Sequence, residues 1–382
     1  MTKEELLFCL LSNEICGNDL PENFDLTDKT AELYRLSKQH DIAHLIGDAL
    51  LRNKLLPESK ALIAFREQIV LAVYRYERKN AEMERVSAAL EEAKIPFIPL
   101  KGSVIRSLYP EPWMRTSCDI DILVKKEDYF ATGKYLAEKL NYKTEEYGSH
   151  DISLYSESSV HIELHYSLIE DRFLDSADKV LNKVWDYALP VNNTKYCLSD
   201  EMFYFYHLAH MAKHFQGGGC GIRPFIDLWL LNHKLEFNKS IRDALLEDGG
   251  LLKFAKNCEK LSEVWLGKDK HDETTAILQE FILNGGMYGN IENRASVSQG
   301  TTKKRHIFSY LWKPYNELKY WYPGLAKHKW LLPFYEIKRW FQIVFGGALS
   351  YKFKERRVLN NTEKSKLNKA DKLISDLGLK QD

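Results

Sequence analysis

The residues of this 382-residue chain best placed to do chemistry are two aspartates separated by one isoleucine, Asp119-Ile120-Asp121. With Ile122, Leu123 and Val124 they form a run that reads as a strand. Residues two apart on a strand face the same side. Both carboxylates therefore project together, with Cα atoms about 7 Å apart. Such a pair repels itself unless a cation lies between them. Hard oxygen donors suit Mg²⁺, whose shell is commonly completed by substrate phosphates. A solvated strand face is the plain alternative. The apolar neighbours argue against it, because burying two unpaired carboxylates is costly.

Two further groups bear on the same chemistry. Gly102-Ser103 follows a short apolar run, Ile95–Leu100, and opens a segment of helical spacing. Glycine allows close backbone approach to a phosphate, and a helix N-terminus presents free N–H donors. Glu163 lies mid-strand in His161-Ile162-Glu163-Leu164-His165. His165 should share its face and orient it or touch substrate.

Taken together, Leu100-Lys101-Gly102-Ser103, Leu108-Tyr109-Pro110, Arg115, Asp119-Ile120-Asp121-Ile122-Leu123-Val124, Glu163-Leu164-His165 and Arg223 with Asp227-Leu228 resemble a bacterial uncharacterised nucleotidyltransferase family. That family belongs to the DNA polymerase beta-like superfamily. The resemblance covers about residues 80–235. The spacing from Gly102 to Asp119 exceeds that of compact superfamily members and places an extra loop, Pro110–Trp113, beside the site. The resemblance implies a two-metal mechanism using Mg²⁺ or Mn²⁺. Asp119, Asp121 and Glu163 would be both catalytic residues and metal ligands. Gly102, Ser103, Lys101, Arg115 and Arg223 would bind the nucleotide.

Some of these residues also admit a structural reading. Arg115 can neutralise phosphate charge or form an ion pair with an acidic neighbour. Lys101 before a turn reads more simply as a surface lysine. Arg223 and Asp227 are spaced i, i+4 and can form a helix-surface salt bridge. If Arg223 reaches phosphate instead, Phe215, Phe225 or Trp229 can wall the base. His207, His210 and His214 share a helix face, and the last two could chelate zinc. Packing is the simpler role for them.

The positioning elements follow from periodicity. Residues 1–94 read as a helical region, punctuated by Pro21 and Pro57. Residues 95–198 hold the short strands and form the nucleotidyltransferase core. Ile95–Leu100 suits a sheet edge because its prolines remove ladder donors. Lys126–Leu140 reads as a helix, and Tyr142–Glu146, Asp151–Tyr155 and Val160–His165 read as antiparallel strands. His150 precedes one of these strands in a loop. Residues 199–350 return to helix, with a cap at Ser199-Asp200-Glu201. Trp312–Phe345 mixes aromatic residues with Lys313, Lys319, Lys327, Lys329, Lys338 and Arg339. This reads as an amphipathic helix lying on the protein's own core, ahead of single-stranded nucleic-acid binding. Residues 351–382 form a polar tail. The fold class expected is α+β, a mixed sheet with helical segments before and after it.

Composition sets the outer bounds. Lys+Arg 54 against Asp+Glu 54 leaves no global charge to steer nucleic acid or an acidic membrane. Nucleic acid is thus a permitted but disfavoured acceptor. Forty-seven aromatic residues (21 Tyr, 18 Phe, 8 Trp) supply a large core. Six cysteines without a CxxC pair, and charges at Lys3, Glu4 and Glu5 where a leader would be apolar, read as a cytoplasmic protein with reduced thiols. No uncharged run is long enough for a membrane span. The expected reaction is attack by an acceptor hydroxyl on the α-phosphate of ATP or another NTP. The acceptor is a small molecule, a protein side chain or an RNA end. The rivals are a non-catalytic nucleotide-binding module of the same fold and a zinc-dependent hydrolase.

Overall fold

The computed structural model describes residues 1–56, 59–147, 151–169, 174–287, 289–294, 297, 315, 318, 325, 328–345 and 364–379. Pro57, His150, Trp312, Lys313, Lys319, Lys327 and the first residues of the polar tail lie outside these. The N-terminal region holds α1 (Lys3–Cys16), α2 (Thr30–Gln39), α3 (Ala43–Arg52) and a single long α4 (Lys60–Glu92). Ser59 caps α4 by accepting from the Leu62 amide, which satisfies one of the orphan donors of a helix start.

A five-stranded sheet follows, built from β1 (Phe97–Pro99), β2 (Asp119–Val124), β3 (Lys143–Tyr147), β4 (Asp151–Tyr155) and β5 (His161–His165). Its order is β1-β2-β5-β4-β3. The prolines do place β1 at an edge. β3, β4 and β5 are antiparallel neighbours, whereas β2 and β5 run parallel. Between β1 and β2 lie a short α5 (Gly102–Ile105) and two 3₁₀ turns, Arg106–Leu108 and Pro112–Met114. α6 (Tyr129–Leu140) connects β2 to β3.

Alternation along β2 explains the layering. Ile120, Ile122 and Val124 pack with Ile162 and Leu164 of β5 against Val86, Ala89 and Leu90 of α4 and Leu136 of α6. The opposite face carries Asp119 and Asp121, and Leu123 there joins a second, larger apolar cluster. That cluster unites α1–α3 with α8 (Asp200–Gln216), α9 (Arg223–Lys234), α10 (Lys239–Asp248), α11 (Leu252–Leu266) and α12 (Glu273–Gly285). Ser199 caps α8 as expected, accepting from the Met202 amide. The sequence reading left residues 166–198 unassigned. They form α7 (Asp175–Leu181) and a hairpin of β6 (Ala188–Pro190) with β7 (Tyr196–Leu198).

α13 (Leu332–Phe345) and α14 (Lys364–Asp376) complete the described elements. α13 corrects an expectation. Phe334, Ile337 and Phe341 are 57–77% exposed, while the Glu336–Arg339 ion pair is buried. The apolar stripe of this helix therefore does not lie on the core. Among the described residues no helix is long and apolar enough to cross a membrane.

Candidate active site

The parallel register of β2 and β5 sets Asp119 beside His161, Asp121 beside Glu163 and Leu123 beside His165. Same-face alternation then gathers the acidic side chains over one patch of sheet. Ligand atoms of Asp121, Glu163 and His165 all lie within 4.8 Å of one another. This is the one three-residue group of metal-ligating side chains among the described residues. Asp119 lines the same cavity as Glu163.

Asp121 is 2% exposed. Its Oδ1 accepts from Lys101 Nζ at 2.8 Å and from His165 Nε2 at 2.9 Å. Burial pushes its pKa up, but the Lys101 ammonium and the His165 contact outweigh it. The carboxyl is held well below the usual range. Burial would lower the pKa of His165, yet its contacts with Asp121 and Glu163 raise it. Glu163 Oε2 lies 3.4 Å from His165 Nε2, and that contact is the main cause of its lowered pKa. Asp119 differs. Burial, and then the Asp121 charge, push its carboxyl above the ordinary value. Two neighbouring carboxylates are thus driven apart by their surroundings, a pattern typical of sites that handle charge.

Lys101 is not the surface lysine expected. It is mostly buried and ion-paired to Asp121. Its backbone takes φ 46°, ψ −123°, a conformation costing a non-glycine residue roughly 1–3 kcal/mol. This turn directs the chain from β1 into α5 while the ammonium reaches back over the sheet. Gly102 follows it, buried. A Cβ there would meet Ser117 Cβ at 3.1 Å, so the turn packs tightly on the approach to β2. Gly102 lines the cavity, as does Ser117, whereas Ser103 does not.

The two arginines are engaged differently from expectation. Arg115 makes a fork to Asp227, with Nε to Oδ1 and Nη2 to Oδ2 both 2.7 Å. Tyr109 Oη also donates to Asp227 Oδ1 at 2.7 Å. Asp227 is fully buried. The proposed Arg223–Asp227 helix-surface bridge is therefore absent, because Asp227 points inward to Arg115. Arg223 Nη1 instead donates to Asp41 Oδ2 and Thr116 Oγ1, each at 2.9 Å. Thr116 in turn donates to Asp41 at 3.0 Å. These contacts clamp the segment entering β2 to α9 and to the turn between α2 and α3. Arg115 and Arg223 both line the cavity.

That cavity, about 490 Å³, lies between the acidic face of the sheet and α8 and α9. Its apolar lining includes Ile105, Phe203, Met211, Pro224 and Met287. Phe215, Phe225 and Trp229, expected as a base wall, lie elsewhere. Phe215 packs on Phe281, Phe225 on Trp265, and Trp229 on His233. The three α8 histidines do not converge on a metal. His207 Nε2 contacts the Pro224 carbonyl at 2.9 Å, and His210 and His214 contact each other at 3.0 Å. Burial lowers the pKa of all three.

Sequence reasoning missed several contributors. Lys79 of α4 is buried, donates to Ser117 Oγ at 3.1 Å, and is lowered to about 8 by burial. Ser117 donates to the Asp119 carbonyl at 3.1 Å. Tyr206 and His40 line the cavity. None carries a local motif, so only proximity reveals them.

A strand with two carboxylates on one face, a third acid on the parallel neighbour and a glycine turn at the sheet edge fit a nucleotidyltransferase-type fold. The chain belongs to the uncharacterised nucleotidyltransferase family, whose match spans residues 27–267, from α2 through α11. No curated protein and no solved structure matches the chain.

Proposed function

We propose that the protein transfers a nucleoside monophosphate from an NTP, ATP among the candidates, to an acceptor hydroxyl, releasing pyrophosphate. The observation that carries this reading is the register pairing Asp121 with Glu163, under a lysine ammonium that stands where a cation belongs. The donor chemistry fits a divalent ion. Carboxylate oxygens predominate, and one imidazole lies within reach. Asp119, Asp121 and Glu163 would hold Mg²⁺ or Mn²⁺, with His165 beside them. Such an ion would neutralise the triphosphate and acidify the attacking hydroxyl.

The chain's own residues have distinct tasks in this reading. Lys101, whose ammonium lies 2.8 Å from Asp121, would offer its charge to the outer phosphates. The backbone around Gly102 approaches the same phosphates closely. His165 holds Asp121 through its Nε2–H, with Glu163 Oε2 3.4 Å from the same nitrogen, as ligand-supporting partners do. Arg115 and Arg223 hold the entrance to β2 in place. Their guanidinium charges face the cavity while remaining tied to Asp227 and Asp41. Six free cysteines support a reducing cytoplasmic setting.

The test is a transfer screen with α-labelled ATP, GTP, CTP and UTP, Mg²⁺ or Mn²⁺, and fractionated cell lysate as acceptor. Label passing to an acceptor with wild-type protein, and not with Asp121→Asn, supports the reading. Failure to bind any NTP in a direct binding assay would overturn it.

A further inference from the structure

Two residues that line the cavity each carry a buried polar atom without a hydrogen-bond partner among the described residues. The atoms are His40 Nδ1 and Arg223 Nε. His40 is fully buried. Its Nε2 faces the Leu283 carbonyl at 3.3 Å. A carbonyl only accepts, so Nε2 carries the hydrogen and Nδ1 of the neutral ring is a bare acceptor. Arg223 Nε is a donor. The two residues are tied together, since Arg223 Nη1 is bonded to Asp41, the residue after His40. Buried polar atoms are rarely left unsatisfied, and two on one cavity wall point to a ligand that supplies their partners.

One acceptor and one donor, on the wall of a cavity that also offers thioether and ring surface from Met211, Met287 and Phe203, suit a flat heterocycle. We propose that His40 Nδ1 and Arg223 Nε read the edge of the NTP base and separate amino bases from keto bases. This rests on the nucleotidyltransferase reading above. The chemistry is a matter of order along the edge. Adenine and cytosine offer an exocyclic N–H donor beside a ring-nitrogen acceptor. Guanine and uracil offer an exocyclic oxygen acceptor beside a ring N–H donor. A fixed acceptor–donor pair matches one order and leaves both of its atoms opposed to like groups in the other. Neither atom is open to solvent in this state, so the base engages them by a small displacement of the wall, a form of induced fit.

ATP and ITP test this directly, because they differ at that edge alone. Binding of ATP, ITP and tripolyphosphate is measured with Mg²⁺ for wild type, His40→Leu, His40→Gln and Arg223→Lys. Arg223→Lys keeps the charge on Asp41 and removes Nε–H. His40→Gln keeps both a donor and an acceptor. Wild type should distinguish ATP from ITP by about tenfold or more. His40→Leu and Arg223→Lys should shrink that ratio to about twofold, His40→Leu without changing tripolyphosphate affinity, and His40→Gln should retain part of it. Equal ATP and ITP affinities in wild type, or a ratio unchanged in Arg223→Lys, would overturn the base-reading pair while leaving nucleotidyl transfer standing. Absence of any NTP binding would instead remove the functional reading on which it rests.

Discussion

Asp121 is the charge around which this site is organised, and its neighbour Asp119 behaves oppositely. Sequence alone treats the two as an equivalent repelling pair, for which Asp121→Asn would relieve strain. The structure reverses that for Asp121, which is buried between Lys101 and His165. Removing one partner of a buried pair typically costs about 3–5 kcal/mol. Asp121→Asn should therefore lower stability in metal-free buffer by roughly 3 kcal/mol, with transfer falling to about 1% or less. Asp119 carries the raised pKa, so its charge is unfavourable at neutral pH. Asp119→Asn should leave metal-free stability unchanged or slightly higher while also abolishing transfer. Chemical denaturation of both variants with chelator present checks the pair of expectations; equal losses would refute the asymmetry. The same reasoning applies to Asp227, whose removal strands Arg115 and Tyr109 in the core. Asp227→Ala should cost about 3–5 kcal/mol.

At the scale of elements, helix starts and exposed faces make separable contributions. Ser199 caps α8, the helix that roofs the cavity. Ser199→Ala should cost about 1 kcal/mol in denaturant unfolding, with NTP affinity unchanged. α13 presents Phe334 and Ile337 outward, at 77% and 57% exposure. If this helix were packed on the core by its apolar stripe, Phe334→Ser with Ile337→Ser would be strongly destabilising. From the observed exposure the double variant should change stability by no more than about 0.5 kcal/mol per site. A thermal shift measurement decides between these outcomes.

At the scale of the molecule, one apolar cluster joins α1–α3 to α8–α12 and reaches Leu123 of β2. Residues far apart in the chain are therefore locked around the site. His44 of α3 shows the consequence. It is buried, its Nε2 contacts the Met114 carbonyl at 2.8 Å just before β2, and burial lowers its pKa to about 4. A histidine with a depressed folded pKa contributes stability that is present above its unfolded value, near 6.5, and is lost as pH falls toward 4. The loss amounts to roughly 3 kcal/mol at most. His44→Gln keeps a donor for the carbonyl and cannot titrate. Its melting temperature should fall less between pH 7 and pH 4.5 than that of wild type. Parallel pH profiles would show that His44 does not govern the acid limb.

The acidic triad and the elements that carry it were legible in the chain because their signals are local. Alternation in Asp119–Val124 specifies both a strand and the shared face of two carboxylates. Prolines at 96 and 99 specify an edge, and Ser199 specifies a helix start. What the arginines and lysines do was not legible, because partner choice depends on contacts far apart in sequence. Arg115 meets Asp227 112 residues away, and Arg223 meets Asp41 182 residues away. The i, i+4 spacing of Arg223 and Asp227 suggested a bridge that the inward turn of Asp227 forecloses. Lys101 looked like a surface residue because nothing local shows that its turn folds the ammonium over Asp121. The amphipathic pattern of α13 likewise specified a helix but not what its stripe faces. Sequence by itself determined the acidic chemistry and the strand that displays it, since both depend on residue type and a two-residue period. Only tertiary structure decided which cations answer those acids, since a buried charge takes whatever counter-charge the packing of distant helices brings within reach.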